Sequence, residues 1–287
     1  MFDALDTPML QRVQGQASLA LALGGDRTAP RIRALRQQGA AKLFLPRVHG
    51  SRPEAVFLNT AGGLTGGDRL GFAITLEAGV AAVATTQTAE RAYAAGGRPA
   101  RMTVALDLGA GASLDWLPQE TILFEKACLH RTSRVEMAGD ASLVWAEMLV
   151  LGRAAMGETL RDAELLDRRE IHRAGRLALS EPVRLDASVL QGWPGARPAL
   201  IGGARAFATV VAMAQGAEAA LAPVRAALAA ATDATGPAVG AVAAASAWDG
   251  RCLVRVAAAD ALPLRRAVAA ALAVLRGGAA LPRVWQV

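Results

Sequence analysis

The chain has 287 residues, with 31 basic against 25 acidic side chains, a formal net charge of +6, and 53% hydrophobic but only 4% aromatic residues. This composition can build a sizeable core of small side chains, and no apolar run approaches the ~20 residues that a membrane-spanning helix needs. The acidic start from Met1 to Asp6 lacks the basic-then-apolar order of a signal peptide, so we expect a cytoplasmic protein without a membrane partner.

A basic stretch follows near the N-terminus, where glycine and proline break the apolar runs about every ten residues, a spacing that indicates strands and turns. A basic stripe can bind nucleic acid or an acidic protein. Nucleic-acid platforms interleave stacking aromatics, and only Phe44 is available here. A solvated strand face is the simpler interpretation. The basic side chains are Arg27, Arg31, Arg33, Arg36, Lys42 and Arg47.

A glycine-rich loop lies between two predicted strands, an apolar run over 55–58 and a period-two pattern over 70–76. Glycine permits positive φ and close backbone approach. A phosphate-binding loop needs a helix behind it and usually a lysine, whereas this loop is followed by a strand and ends in Asp68. We interpret it as a tight turn that also shapes a surface. Its glycines are Gly62, Gly63, Gly66 and Gly67.

Alternation over 102–108 predicts a strand with one apolar and one wet face. A weak internal repeat surrounds the next region, because Ser-Leu-x-Trp occurs at 113–116 and again 29 residues later at 142–145. A poorer third copy opens at 78–80. Glycine turns followed by strands at such a period are typical of stacked β layers. We therefore predict a mainly β fold with a layered, β-helix-like strand body.

Two stretches place polar groups in or beside this body. Pro118 cannot occupy a central position of a sheet ladder, so we expect the chain to bend there and display Gln119 and Glu120. Glu147 lies inside an otherwise apolar strand, where a carboxylate is costly unless it is paired. Either Arg153 or another base neutralises Glu147, or it lines a wet cavity, and both alternatives stay open here.

Metal-ligating side chains are sparse. Cys128 and Cys252 are 124 residues apart, and two cysteines in a cytoplasmic chain are more typical of buried thiols than of a disulfide. Neither Cys-x-x-Cys nor His-Glu-x-x-His occurs, so a dedicated high-affinity metal cage is not expected. Cys128 and His130 stand two apart and would face the same way on a strand. They are candidates for contact with a metal, although burial is the usual fate of a free cysteine.

The C-terminal third changes character. The segment 161–176 is densely charged, and we interpret it as a solvent-facing strand pair. Beyond 205 the pattern predicts a strand at 207–213 and a helix from Glu218 to Ala231 that Pro223 should kink.

A hairpin around Asp249-Gly250 and a final helix complete this pattern, the helix beginning at the N-cap Asp260 and ending at Gly277. We predict a β-rich body over 1–200 and an α+β lobe with about two helices over 201–287, packed on the body as one continuous unit.

Four ordered motifs resemble those of the UreD (also called UreH) family of urease accessory proteins. They are the Gly-Gly-x-x-Gly-Gly-Asp loop at 62–68, Trp-Leu-Pro-Gln-Glu at 116–120, Trp-x-Glu-x-x-x-Leu-Gly-Arg at 145–153 and Leu-Pro-Arg-x-Trp at 281–285. The motifs stand in the family's order along most of the chain.

The resemblance implies a non-enzymatic scaffold that joins the UreF and UreG accessory proteins to apo-urease while nickel enters the enzyme. GTP hydrolysis would belong to UreG, and nickel would pass transiently through an internal polar passage, with no tightly bound cofactor. The implied structural or partner-facing residues are Gly62, Gly63, Gly66, Gly67, Asp68, Gln119, Glu120, Gly152 and Arg153. The implied nickel path comprises Asp68, Glu147 and Glu170, with Cys128 and His130 as less favoured alternatives.

Two alternatives come from other functional classes. An enzyme could pair carboxylates among Asp68, Glu120 and Glu147 beside the glycine loop, but the three histidines have no matching serine or cysteine context. A nucleic-acid binder would use the basic stripe, and its binding would weaken steeply with salt. We rank the nucleic-acid binder last.

Overall fold

The computed structural model describes residues 12–25, 29–47, 52–191, 203–233 and 240–286. These residues form a seven-stranded and a ten-stranded β-sheet with three α-helices, which confirms a mainly β fold with a few helices. No helix among them is both long and apolar enough to cross a bilayer. Arg27 of the basic stretch lies outside the described residues.

The strands in chain order are β1 (Gln14–Leu23), β2 (Pro30–Gly39), β3 (Ala41–Phe44), β4 (Glu54–Asn59), β5 (Arg69–Leu76), β6 (Ala81–Thr86), β7 (Glu90–Ala92), β8 (Ala100–Leu108), β9 (Ser113–Leu117), β10 (Thr121–Leu123), β11 (Cys128–Met137), β12 (Ser142–Leu151), β13 (Glu164–Arg173), β14 (Arg176–Leu185), β15 (Ala206–Met213), β16 (Ala241–Trp248) and β17 (Arg251–Ala258). The helices are α1 (Ala187–Gln191), α2 (Leu221–Asp233) and α3 (Ala261–Leu275).

The body is a β-solenoid in which the chain alternates between the two sheets from β4 to β13. Strands β5, β8, β11 and β13 stack in parallel in the seven-stranded sheet, and β4, β6, β9 and β12 do so in the ten-stranded sheet. The Ser-Leu-x-Trp repeat records this winding, because Ser113 pairs with Ser142 and Trp116 with Trp145. The poorer copy joins the same register through Ala81. The predicted layered body is confirmed.

The main core lies between the inward faces of the two sheets. Burial alternates strictly along β8, as its period-two sequence predicts. Phe57 from the ten-stranded sheet meets Phe72 from the seven-stranded sheet at 4.9 Å between ring centroids, and Trp116 edge-on at 5.7 Å. Such aromatic contacts add to the burial of small side chains, so a few rings join two largely aliphatic layers.

The C-terminal strands extend the body's own sheet. Strand β15 pairs antiparallel with β12, and β17 and β16 follow it outward. Helices α2 and α3 cover these strands and form a second core with them, to which Val224, Leu264 and Trp285 contribute. The predicted cap is confirmed, since the Asp260 carboxylate accepts the Ala261 N–H at 2.6 Å.

Two local predictions need correction. The predicted helix is present, with a 3-10 helix over Ala217–Ala220 leading into α2 at Leu221. Pro223 therefore falls in the first turn of α2, where its missing N–H breaks no α-helical hydrogen bond. Strands β13 and β14 do pair, but β13 is not wholly solvent-facing, because Asp167 and Arg169 are only 2% and 7% exposed. Asp167 is paired with Arg131 of the neighbouring strand β11, and Arg169 is paired with Asp167 itself.

Candidate functional site

The glycine-rich loop carries the chain from β4 in one sheet to β5 in the other. The Asp68 carboxylate accepts the Thr65 and Val13 backbone N–H groups, both at 2.8 Å. Leu64 joins the loop to the 91–93 segment, donating to the Arg91 carbonyl at 2.7 Å and accepting the Tyr93 N–H at 2.8 Å. Asp68 is 2% exposed. Its buried carboxylate therefore stabilises the turn through these two hydrogen bonds.

A surface cluster joins the glycine loop to the Gly152-Arg153 segment. Tyr93 packs edge-on against Phe124 at 5.0 Å, and the Arg153 guanidinium lies 4.6 Å from the same ring. The Tyr93 hydroxyl donates to the Gly62 carbonyl at 3.4 Å. Arg153 pairs with Glu158 at 3.0 Å, and its hydrogen bonds hold the pKa of Glu158 at about 2. Arg153 therefore does not neutralise Glu147.

The bend after Pro118 faces the C-terminal segment rather than solvent. Gln119 is buried, and its side-chain amide donates to the Val284 carbonyl at 3.1 Å. Arg265 of α3 donates to the side-chain amide oxygen of Gln119 at 2.6 Å and lies 3.5 Å from the Glu120 carboxylate. The expectation that the bend displays Gln119 is wrong, because this motif and the Leu-Pro-Arg-x-Trp motif bind each other.

A buried charge network occupies the space between the sheets. Arg131 contacts Glu147 at 2.7 Å and Asp167 at 2.5 Å, and so connects β11 with β12 and β13. Arg169 contacts Asp167 at 2.5 Å, and the Trp145 indole N–H donates to Glu147 at 3.0 Å. Two guanidinium groups thus balance two carboxylates. The base that neutralises Glu147 is Arg131.

For Asp167 and Arg131, the attraction of their charged partners outweighs the effect of burial on the pKa. Burial acts to raise the pKa of Asp167, but Arg131 and Arg169 together hold that pKa below its ordinary value. Burial acts to lower the pKa of Arg131, but Asp167 and Glu147 raise it. Asp167 and Arg131 therefore remain charged in the folded protein, and removing one partner leaves an uncompensated buried charge.

Glu147 also lines three cavities, which agrees with the second alternative, that it borders a cavity. A cavity of about 30 Å³ leads from exposed Gly62, past Glu90 and Thr121, to Arg131 and Glu147. A second cavity, of about 10 Å³, is lined by Glu147, Arg169 and Thr209, and a wide cleft of about 610 Å³ opens between β14 and β15–β17. The inner spaces have room for a few waters at most.

Glu90 lines the first cavity close to the glycine loop. Its carboxylate accepts the Asn59 side-chain N–H at 3.2 Å. Burial, only partly offset by this bond, raises the pKa of Glu90 from 4.5 to about 7. No motif around Glu90 predicted a buried carboxylate, because the surrounding residues 89–95 are rich in alanine.

We expect Glu90→Gln to flatten the stability–pH profile. The raised pKa means that the folded protein holds this proton more tightly than the unfolded chain, so the stabilisation is full below pH 4.5 and is lost as pH rises through about 7. Wild type therefore loses free energy of unfolding between pH 4.5 and 8, and the glutamine variant does not. With partial screening by solvent, this loss should be on the order of 2 kcal/mol at pH 8. Urea unfolding at several pH values measures it, and identical profiles would contradict the assignment.

The remaining predicted residues lie on the outer face of the seven-stranded sheet. Glu170 lies 3.8 Å from Arg168 and 3.7 Å from His172, on the opposite side of β13 from Asp167. Asp68, Glu147 and Glu170 therefore occupy three different surroundings, and only Glu147 lies on the internal cavities.

Cys128 and His130 face the same way on β11, as predicted, and Glu164 of β13 joins them. Their ligating atoms all lie within 4.8 Å of one another. Burial and the neighbouring Glu164 carboxylate raise the pKa of the Cys128 thiol to about 11. No local sequence pattern links Glu164 to Cys128 and His130, because its position depends on the register between β11 and β13.

The geometry gives little support to the alternative functions. The Asp68 carboxylate is engaged by backbone N–H groups, Glu120 by Arg265 and Glu147 by Arg131, so each carboxylate has a partner of its own rather than another acid. The glycine loop is followed by a strand and not by the helix that a phosphate site needs. Three residues of the basic stripe, Arg31, Arg33 and Arg36, lie on the solvent-exposed strand β2, as expected of a solvated strand face.

Comparison with known proteins agrees with the motifs. The family described as UreD urease accessory protein matches residues 14–286. A urease accessory protein UreD from Jannaschia sp. is 50% identical over 287 residues, covering 100% of both chains. The UreD proteins of Cereibacter sphaeroides and Dinoroseobacter shibae are 53% and 50% identical over 96% and 99% of this chain, and over 96% and 95% of their own lengths.

Proposed function

The chain belongs to the UreD family of urease accessory proteins, and from that premise we propose that it acts without catalysis, as a scaffold that joins UreF and UreG to apo-urease and passes nickel to the enzyme. GTP hydrolysis would remain with UreG. In this proposal the protein contributes a docking surface and an internal route, and nickel is its cargo.

The position of Glu147 carries the proposal. This carboxylate lies on the cavity that begins at the glycine loop and on the cleft at the other side of the body. Carboxylate oxygens are ligands that divalent cations accept, and one carboxylate is too few to trap an ion. Glu147 can therefore pass a cation on without holding it.

Arg131 controls whether Glu147 is free to do so. One Glu147 oxygen accepts the Trp145 indole N–H and the other contacts the Arg131 guanidinium. An incoming nickel ion would take the place of Arg131, which keeps the Asp167 carboxylate as a partner. The four charged side chains sum to zero before the ion arrives, so the site would carry a net charge of +2 while the ion is bound, and this excess favours its release.

The surface cluster of Tyr93, Phe124 and Arg153 supports docking at the entrance. Tyr93 is 40% exposed and the nearby Met156 is 75% exposed. Exposed aromatic, methionine and arginine side chains are enriched in protein–protein interfaces. A partner bound here would cover the glycine loop and the mouth of the first cavity, so that nickel would enter from the partner.

Replacing Glu147 by glutamine tests the nickel route. The change keeps the size of the side chain but removes its charge, so we expect urease co-produced with the variant to be less active, on the order of tenfold. Urease activity and nickel content, together with co-purification of UreF and UreG, distinguish loss of delivery from loss of docking.

Glu170→Gln is the matched control, since Glu170 is an acid on the outer face of β13. We expect the Glu170 variant to support normal activation. Full activation and full nickel content with Glu147→Gln, at normal protein levels, would remove Glu147 from the route. Failure to co-purify UreF with the wild-type protein would overturn the scaffold itself.

A further inference from the structure

The outer face of the seven-stranded sheet carries a group of metal-ligating side chains well separated from the internal cavities. Cys128 pairs directly with Glu164 in the parallel register of β11 and β13. His130 lies two residues further along β11, on the same face. The inward neighbours Leu129 and Arg131 point to the core, so the sheet itself separates this group from the charge network.

The ligating atoms of the three side chains already lie close together. The His130 Nε2 atom lies 2.6 Å from the Glu164 carboxylate, with the imidazole 24% and the carboxylate 48% exposed. The Cys128 sulfur, the His130 nitrogen and the Glu164 oxygen fall within 4.8 Å of one another. Solvent can therefore reach the group, and small side-chain rotations would direct all three atoms at one point.

We propose that Cys128, His130 and Glu164 form a surface site for a divalent transition-metal ion of borderline softness, such as zinc, cobalt or nickel. Thiolate and imidazole ligands select such ions over magnesium and calcium. Three protein ligands leave a fourth tetrahedral position for water or for a ligand from another molecule. On binding, the Cys128 sulfur releases its proton to solvent and His130 coordinates as the neutral imidazole.

Charge balance and strand geometry both favour this site. The thiolate and the Glu164 carboxylate together supply two negative charges to a dication. Two of the ligands lie on one strand and the third lies on its hydrogen-bonded neighbour, so the β ladder holds their backbones at fixed spacing. A cysteine buried only for packing would not lie partly exposed beside a histidine and a carboxylate.

Titration of the purified full chain with Co²⁺ tests the site directly. We expect a near-ultraviolet thiolate-to-cobalt charge-transfer band and tetrahedral visible bands, with Zn²⁺ competing for the same position. The Cys128→Ser variant should lose the charge-transfer band, and His130→Gln and Glu164→Gln should each weaken binding by at least about tenfold. The Cys252→Ala variant is the matched thiol control and should bind as wild type does.

A wild-type protein that shows no thiolate band with Co²⁺ would overturn the proposal, and so would a band that survives in Cys128→Ser. Circular dichroism of each variant separates loss of the site from loss of the fold. The titration contains neither urease nor other accessory proteins. Its failure would leave the proposed nickel route through Glu147 untouched, and the reverse also holds.

Discussion

Replacing Arg131 by methionine is expected to lower the free energy of unfolding by about 3–5 kcal/mol, the usual cost of breaking a buried ion pair by removing one partner. Arg131 is 4% exposed and contacts both Glu147 and Asp167. Methionine fills much of the same volume, so the loss would come from charge and not from a cavity. Asp167 would keep Arg169, whereas Glu147 would lose its only guanidinium partner among the described residues.

Urea unfolding measures this effect, and Arg134→Met provides the matched control. Arg134 lies on the same strand but faces solvent, where its pair with Glu136 at 2.5 Å has a guanidinium that is 56% exposed. Exposed pairs contribute at most about 1 kcal/mol. Equal losses in the two variants would show that the buried network adds nothing beyond an ordinary surface pair.

Replacing Gly63 by alanine should lower the free energy of unfolding by about 2–4 kcal/mol. Gly63 has φ of +154°, and an added Cβ would lie 2.7 Å from the Arg91 carbonyl oxygen and 2.3 Å from a Tyr93 ring carbon. The ring could rotate away. The carbonyl cannot move freely, because it accepts the Leu64 N–H that fastens the loop to the neighbouring segment.

Gly62→Ala separates steric contact from backbone strain. Gly62 has φ of +76°, and an added Cβ would meet no described heavy atom within 4 Å. We expect a loss of only about 1 kcal/mol, from the left-handed conformation alone. Chemical denaturation measures the free energy of unfolding of both variants. If Gly62→Ala were as destabilised as Gly63→Ala, close packing around Gly63 would not explain why that position needs glycine.

The buried network links the stability of the body to its proposed function. Arg131 and Asp167 belong to the seven-stranded sheet and Glu147 to the ten-stranded sheet, so their contacts join the two layers. The same carboxylate borders the inner cavities. Polar cavities inside a β-solenoid take the place of apolar contacts between the sheets. Here the paired charges of Arg131, Glu147, Asp167 and Arg169 connect the sheets instead.

Several motifs contact residues that are distant in the sequence, and no local sequence pattern predicts those contacts. Gln119 and Trp285 lie far apart in the sequence, yet both are bound by Arg265. Arg131 did leave a faint signal, because it occupies an inward position between Leu129 and Val135 on a strand with strict alternation. A charged residue on an apolar face indicates a buried partner, although it does not say which one.

The sequence by itself determined several of the strands, the glycine-rich turn after β4, the cap of the last helix and the family, because period-two alternation, turn glycines, N-caps and ordered motifs are written in neighbouring residues. Through the Ser-Leu-x-Trp repeat it also indicated that the strands are layered. Only the tertiary structure decided that Arg131 neutralises Glu147 and that Glu164 joins Cys128 and His130. These contacts depend on the register between neighbouring strands, which follows from how many residues each coil of the solenoid contains. The packing of the whole body sets that number.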